Sequence, residues 1–427
     1  VGYNAGLAMT TGVQNTLIGG QAGDRLSTGS ENTAVGYFSL SYENGHGKNT
    51  ALGFKTLAVQ DAGADAYNVA IGHSAGIYVT TGTKNTLIGA SAGGSLTSGG
   101  ENVAIGHAAL GLEDANGKNV AIGKSALAAQ NAGAEAYNVA IGYEGGKQIT
   151  TGVENTIIGG LSGDALTTGQ RNTALGTYAL GADTTGQYSV AIGRGALMSQ
   201  NFTGGEASYN VAVGYDAGND ITTGTNNTLV GALTGDALTT GSKNTAMGIG
   251  ALGSEDTGSR NTALGYGALG LLNYDGDGYN TAVGYEAGAA MTTGVFNTII
   301  GDIAGDALTT GAANVAIGYQ ALSLEDTHGH NVAIGFQSLA NQNAGADAYN
   351  VAIGSNAGLS VSTGVKNTLI GGFAGDALTI GNNNIAIGHK ALSTSGDDDD
   401  NVAIGYLALE AYEDGDGNGH NTAVGAR

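Results

Sequence analysis

One short pattern of polar and apolar positions runs the length of the chain. An Asn is followed by a β-branched residue, then a small or aliphatic one, then an aliphatic one, and Gly closes the run. Asn15-Thr16-Leu17-Ile18-Gly19 and Asn85-Thr86-Leu87-Ile88-Gly89 are two copies, and the pattern occurs 24 times when Ser189 is counted in the Asn position. Apolar runs this short, bounded by Asn and Gly, predict strands, because a helix needs a longer periodic window. Successive copies stand 17 residues apart three times in a row, then 19 to 21 apart, and the cycle repeats.

A fixed period of this size is the signature of a solenoid, in which each repeat is one circuit that buries its apolar face only against its neighbours. The expected fold is all-β: a parallel β-solenoid of about 24 coils with 17–21 residues per coil and a four-coil super-repeat of about 70 residues. The chain reads as a single repetitive shaft over 1–427, with cycles 1–67, 68–137, 138–209, 210–279, 280–349 and 350–420 and the start of another at 421–427. It also reads as a fragment of a longer chain. Seventeen residues suffice for two short strands and two turns, and 24 coils stacked about 4.8 Å apart give a rod on the order of 115 Å. The recurring Asn is expected to form a ladder, its amide bonding the backbone of neighbouring coils at a tight turn.

Side chains alternate along a strand, so the second and fourth positions of the pattern share one face. They are β-branched or aliphatic throughout, which predicts that they fill the core. The middle position is Ala in eighteen copies (Ala34, Ala70 and Ala104 among them), which suggests a flat face meeting another backbone. That face is therefore expected to carry the contacts of a homotrimer. The exceptions, Leu17, Leu87, Ile157, Leu229, Ile299 and Leu369, all fall in the second coil of a cycle and would plug the trimer axis periodically. The alternative is that these six fill each chain's own core.

Composition narrows the function class. There are 79 Gly, no Pro, no Cys and no Trp. Absence of Pro suits continuous hydrogen-bonded ladders, since Pro cannot donate to one. It also excludes collagen, which needs abundant Pro. A net charge of -22 argues against nucleic acid as a partner. No run approaches 18 apolar residues, so no membrane insertion of this segment is expected.

Asn32-Thr33-Ala34-Val35-Gly36, Asn68-Val69-Ala70-Ile71-Gly72 and Asn401-Val402-Ala403-Ile404-Gly405 resemble the head repeats of YadA-like trimeric autotransporter adhesins, and similar repeats of phage tail fibres. The resemblance covers essentially the whole chain. It implies a parallel β-roll, three chains packed as one trimer, and attachment at a surface. No binding residue is carried over.

Candidate chemistry is sparse. Asp414-Gly415-Asp416-Gly417-Asn418-Gly419 matches the first half of a calcium loop, with oxygen ligands at alternate positions, and Asp275 and Asp277 form a shorter version. The bidentate Glu of an EF-hand is missing, since Gly425 stands at the twelfth place, and a solvated turn is the competing reading. The Gly-Asp-x-Leu turns at Asp24, Asp164, Asp236, Asp306 and Asp376 half-resemble an RTX calcium repeat, but they recur too rarely to build one. His328-Gly329-His330 is a His pair with no third ligand nearby in the sequence. Thr-Thr-Gly turns are not continuous enough for an ice-binding array. With no nucleophile–base pairing, Walker loop or dinucleotide fingerprint, an enzyme is not expected, and no cofactor is implied beyond candidate calcium.

The sequence reading is thus a structural fibre or adhesin shaft, extracellular, on a cell surface or a virion. Its partners are expected to be copies of itself, as a trimer or an end-to-end filament, together with a host-surface glycan or protein. Repetition would supply avidity without a tight single site. The rival reading is a self-assembling extracellular filament or matrix scaffold that recognises no receptor.

Overall fold

In the computed structural model, residues 1–412 and 419–426 are described. All 24 copies of the pattern form strands of three residues, from Thr16–Ile18 to Thr422–Val424, and no helix occurs among the described residues. The coils belong to two compact units, Val1–Val213 and Gly214–Arg427, each with twelve strands. Within each unit every strand pairs in parallel with the strand one coil on, and equivalent positions face each other. Thr16, Leu17 and Ile18 oppose Thr33, Ala34 and Val35 in the first unit; Thr228, Leu229 and Val230 oppose Thr245, Ala246 and Met247 in the second. The parallel β-solenoid expected from the period is the fold.

Counting the Asn as position 1, three features hold the coils together. First, the Asn side chains form the expected ladder. Asn85 Oδ1 accepts the backbone N–H of Asn102 (3.0 Å), and Asn85 Nδ2 donates to the carbonyl of Gly99 (2.9 Å). An amide placed this way satisfies two backbone groups that would otherwise lack partners, which matters because an orphaned buried group costs about 1–3 kcal/mol. In the fourth coils at Asn49, Asn261, Asn331 and Asn401 only the Oδ1 bond forms. Second, Gly at position 5 has φ near +135°: at Gly123 it is 136°, and a Cβ there would lie 2.1 Å from the carbonyl oxygen of Gly142 in the next coil. No other residue fits. Third, hydrogen bonds between coils continue on the far side, as from Gly76 N–H to the Ala92 carbonyl (2.9 Å) and from Leu40 N–H to the Thr56 carbonyl (3.0 Å).

That far side is not the second strand expected from the sequence. Positions 7 and 9 adopt the left-handed conformation even where they are not Gly, with φ of 56° at Phe38 and 50° at Leu40, and a further such residue precedes each Asn (64° at Lys48). Left-handed residues turn the chain too sharply for an extended run. Each coil is therefore one short strand and a succession of turns that still bond to their neighbours.

The orientation of the strand is also the reverse of the expected one. The middle position points inward: Ala34, Ala70, Ala104 and most of their equivalents are fully buried, whereas positions 2 and 4 lie half-buried or exposed on the outside. The Ala column therefore cannot meet a partner chain, and the six plugs serve their own core. Leu87, Ile157, Leu229, Ile299 and Leu369 are buried, and Leu17, in the N-terminal strand, is half-buried.

The reason is the narrow cross-section of a coil this short. Where position 3 is Leu or Ile, position 9 is Gly, and a Cβ on Gly93 would lie 2.9 Å from a Leu87 methyl. In third and fourth coils the arrangement is reversed: position 3 is Ala, and a buried Leu enters from position 9, as at Leu110 and Leu127. First coils carry Ala and Gly at the two places. Gly76 lies between Leu57 and Leu87 of the flanking coils, 3.1 and 2.6 Å from where its Cβ would be. Large side chains thus enter from alternate walls, and small residues opposite them leave the room.

Candidate functional site

Because the Ala face is inside, the outer face carries four columns of side chains: the residue before each Asn and positions 2, 4 and 6. Position 2 is Thr, Val or Ile and position 4 an aliphatic residue or Met. Exposure reaches 36% at Ile141 and 51% at Met247. Position 6 is often aromatic and stacks from coil to coil. Tyr37, Phe54 and His73 follow one another with ring centroids 5.8 and 5.0 Å apart, and Tyr266–Tyr285 and Tyr319–Phe336 repeat the motif in the second unit.

The opposite edge of the face mixes charges and rings. Seven of the 14 Lys and Arg residues immediately precede the motif Asn, at Lys48, Lys84, Lys118, Arg171, Lys243, Arg260 and Lys366, so this edge is not acidic despite the net charge. Their partners come from neighbouring coils: Lys84–Glu101 at 3.3 Å, Lys118–Glu135 at 2.6 Å and Arg171–Glu154 at 2.7 Å. Exposed pairs of this kind contribute only about 0–1 kcal/mol each, so they align the edge more than they stabilise the fold. Tyr188–Tyr209 and Tyr279–Phe296 stack along the same column, at 5.3 and 5.5 Å.

A second feature is interior. Position 12 of third coils holds a fully buried carboxylate at Glu43, Glu113, Asp183, Glu255 and Glu325. One oxygen accepts turn N–H groups: Glu43 Oε1 takes Asn44 (3.2 Å) and His46 (3.1 Å), Asp183 Oδ1 takes Gly186 (3.0 Å), and Glu255 Oε1 takes Gly258 (2.7 Å). Burial pushes the Glu43 and Glu255 carboxyls up to about 7 and raises those of Glu113, Asp183 and Glu325 as well. The next coil often supplies Gln at the same position. Gln60 Oε1 accepts Asn68 Nδ2 (2.8 Å), and Gln60 Nε2 donates to the Thr80 carbonyl (3.0 Å). Sequence reasoning missed these acids, although their 70- and 72-residue spacing was available as a signal.

The sequence-predicted sites are scattered. Asp275 accepts a hydrogen bond from the Thr257 hydroxyl (2.7 Å), while Asp277 pairs with Arg260 (3.1 Å) and accepts from the Tyr279 hydroxyl (3.3 Å). Asp414, Asp416 and Asn418 lie outside the described residues. Asp24, Asp164, Asp236, Asp306 and Asp376 occur at most once per cycle, with Gly94 in that place in the 68–137 cycle; they are half-buried, and burial raises the last four. The two histidines of the His-Gly-His turn diverge. His328 Nδ1 approaches Glu325 Oε1 (3.5 Å), whereas His330 stacks on Tyr349 with ring centroids 4.9 Å apart. No helix among the described residues is long and apolar enough to cross a membrane. No protein-family model matches the chain, and no curated protein is similar to it.

Proposed function

We propose that this chain is the shaft of an extracellular fibre, on a cell surface or a virion, whose copies associate through the outer face of the strands and present one repeating surface for attachment. The observation that supports this reading most directly is the column of half-exposed aliphatic side chains at position 4, flanked by Thr, Val and stacked rings in coil after coil. In one unit, twelve strands about 4.8 Å apart extend about 53 Å, and six residues across a strand about 20 Å, giving roughly 1,000 Å². A stable interface needs about 800 Å² per partner, which this face can supply.

The occupant that fits is a second copy of the chain. A face with a four-coil period meets the same period only in itself, and the mixed-sign edge can pair with its own kind. The trimer implied by the resemblance is the stoichiometry carried forward, now through the Val/Ile face in place of the Ala face. Replacing Ile141, Leu175 and Ile353 together by Lys should leave the circular dichroism spectrum unchanged, since all three side chains are exposed. Sedimentation velocity should then show a monomer where the parent chain is a trimer. A parent chain that stays monomeric at tens of micromolar, or a triple variant that associates as before, would overturn the reading.

A further inference from the structure

Two of the buried third-coil carboxylates have a second set of neighbours that the others lack. Three residues beyond Glu43 and Glu325 stands a His, and its Nδ1 lies 3.7 Å (His46) or 3.5 Å (His328) from the carboxylate. A further carboxylate closes each group: Asp61, from the following coil, beside Glu43 and His46, and Asp326 beside Glu325 and His328. In each triad one ligand atom per residue can be chosen so that all three lie within 4.8 Å of one another. The two triads use equivalent places. Asn44 and Asp61 in the first cycle correspond to Asp326 and Asn343 in the fifth, so the acid and the amide exchange positions and each site keeps one carboxylate beyond its Glu.

Unsatisfied atoms point to a ligand independently. Glu43 Oε2 and Glu325 Oε2 are buried without a hydrogen-bond partner, and so is His46 Nδ1. His328 Nδ1 has one neighbour of this kind, the Thr327 hydroxyl at 2.9 Å. Two of the carboxylates in cycles without His have both oxygens bonded. Asp183 Oδ2 accepts Gln200 Nε2 (2.6 Å), and Glu255 Oε2 accepts the Tyr274 N–H (3.4 Å). Glu113 Oε2 also lacks a partner, but Asn116 stands where the His would be.

We propose that Glu43, His46 and Asp61 hold one divalent transition-metal ion, and Glu325, Asp326 and His328 another. Imidazole with carboxylates is a donor set that suits zinc and its neighbours better than calcium, which takes oxygen alone. Tetrahedral ligands on zinc stand about 3.4 Å apart, close to the His–Glu separations here. The first site ties the third coil of its cycle to the fourth, and the second fastens a turn within one coil.

The test is isothermal titration of the full chain with zinc chloride after stripping with a chelator. Replacing His46 and His328 by Asn copies the residue that the fold already accepts at Asn116. The double variant should lose two zinc equivalents relative to the parent, and each single variant one, with binding at the altered site weakened at least tenfold. His330→Asn, on the surface, should lose none of these two. Zinc should also slow amide exchange in residues 32–61 of the parent and not of the His46→Asn variant, whose unchanged circular dichroism would show that it folds. No binding by the parent, or a double variant that loses fewer than two equivalents, would overturn the proposal.

Discussion

The alternation of large and small residues across the core can be tested by moving one leucine to the opposite wall. Leu87→Ala removes a fully buried side chain and should destabilise its coil by about 2–5 kcal/mol. Gly93→Leu places a side chain where a Cβ alone would come within 2.9 Å of the Leu87 methyl. It should cost about 1–3 kcal/mol in overpacking, with about 1–2 kcal/mol more for the left-handed backbone at φ 58°. The two changes together recreate an arrangement already present elsewhere: Ala263, Leu269 and Leu272 occupy positions 3, 9 and 12 of one fourth coil and are all buried. In the double variant the cavity and the clash cancel, leaving chiefly the backbone term, which Leu269 already tolerates at φ 50°. The expected coupling is about 2–3 kcal/mol in favour of the pair. Solenoids open locally, so a single melting curve would blur the effect. Hydrogen exchange read on peptides covering 85–101 should show the double variant protected about 30-fold or more above the sum of the singles. Additivity within about 0.5 kcal/mol would refute the packing argument.

Asn155→Ala removes the acceptor of the Asn172 N–H (3.0 Å) and the donor to the Gly169 carbonyl (2.9 Å). It should raise exchange in those two coils by about 1–3 kcal/mol per orphaned group, while coils four or more away are unaffected. Glu255 titrates near 7 in the folded protein against an ordinary value of 4.5, because burial disfavours its charge. Its coil should therefore be most stable below about pH 4.5 and lose on the order of 3 kcal/mol as pH rises to 7, a dependence that Glu255→Gln should abolish in the same exchange experiment.

The fold was legible because the Asn and Gly of the motif each have one structural reason, and the reason repeats. Asn at position 1 bridges coils, and Gly at position 5 sits against the next carbonyl; a constant spacing of two such residues leaves little besides a parallel stack. Which way the strand faced was not legible. Alternation places Val69 and Ile71 on one side and Ala70 on the other, but it does not say which side is inside. Larger side chains ordinarily go in. Here the circuit is so narrow that in third and fourth coils a Leu from position 9 fills the space across from the strand, and only Ala fits opposite. The sign of this lay at position 9, which is Gly wherever position 3 is Leu or Ile and Leu only where position 3 is Ala. The triads were hidden for two reasons: His46 and Asp61 come together only when adjacent coils stack, and Glu325 joins Asp326 and His328 as a buried group only because position 12 points inward.

The four-coil code also constrains how a gene for such a chain can grow or shrink. Recombination between repeats could remove any one coil without breaking the reading of the Asn ladder. But deleting a second coil, such as the one carrying Leu87, would leave Gly76 facing an empty place, because the coil that then follows has Ala104 in the equivalent position. Removing or duplicating a whole cycle of four restores every large-to-small contact. Viable lengths should therefore come in steps of about 70 codons and not of 17.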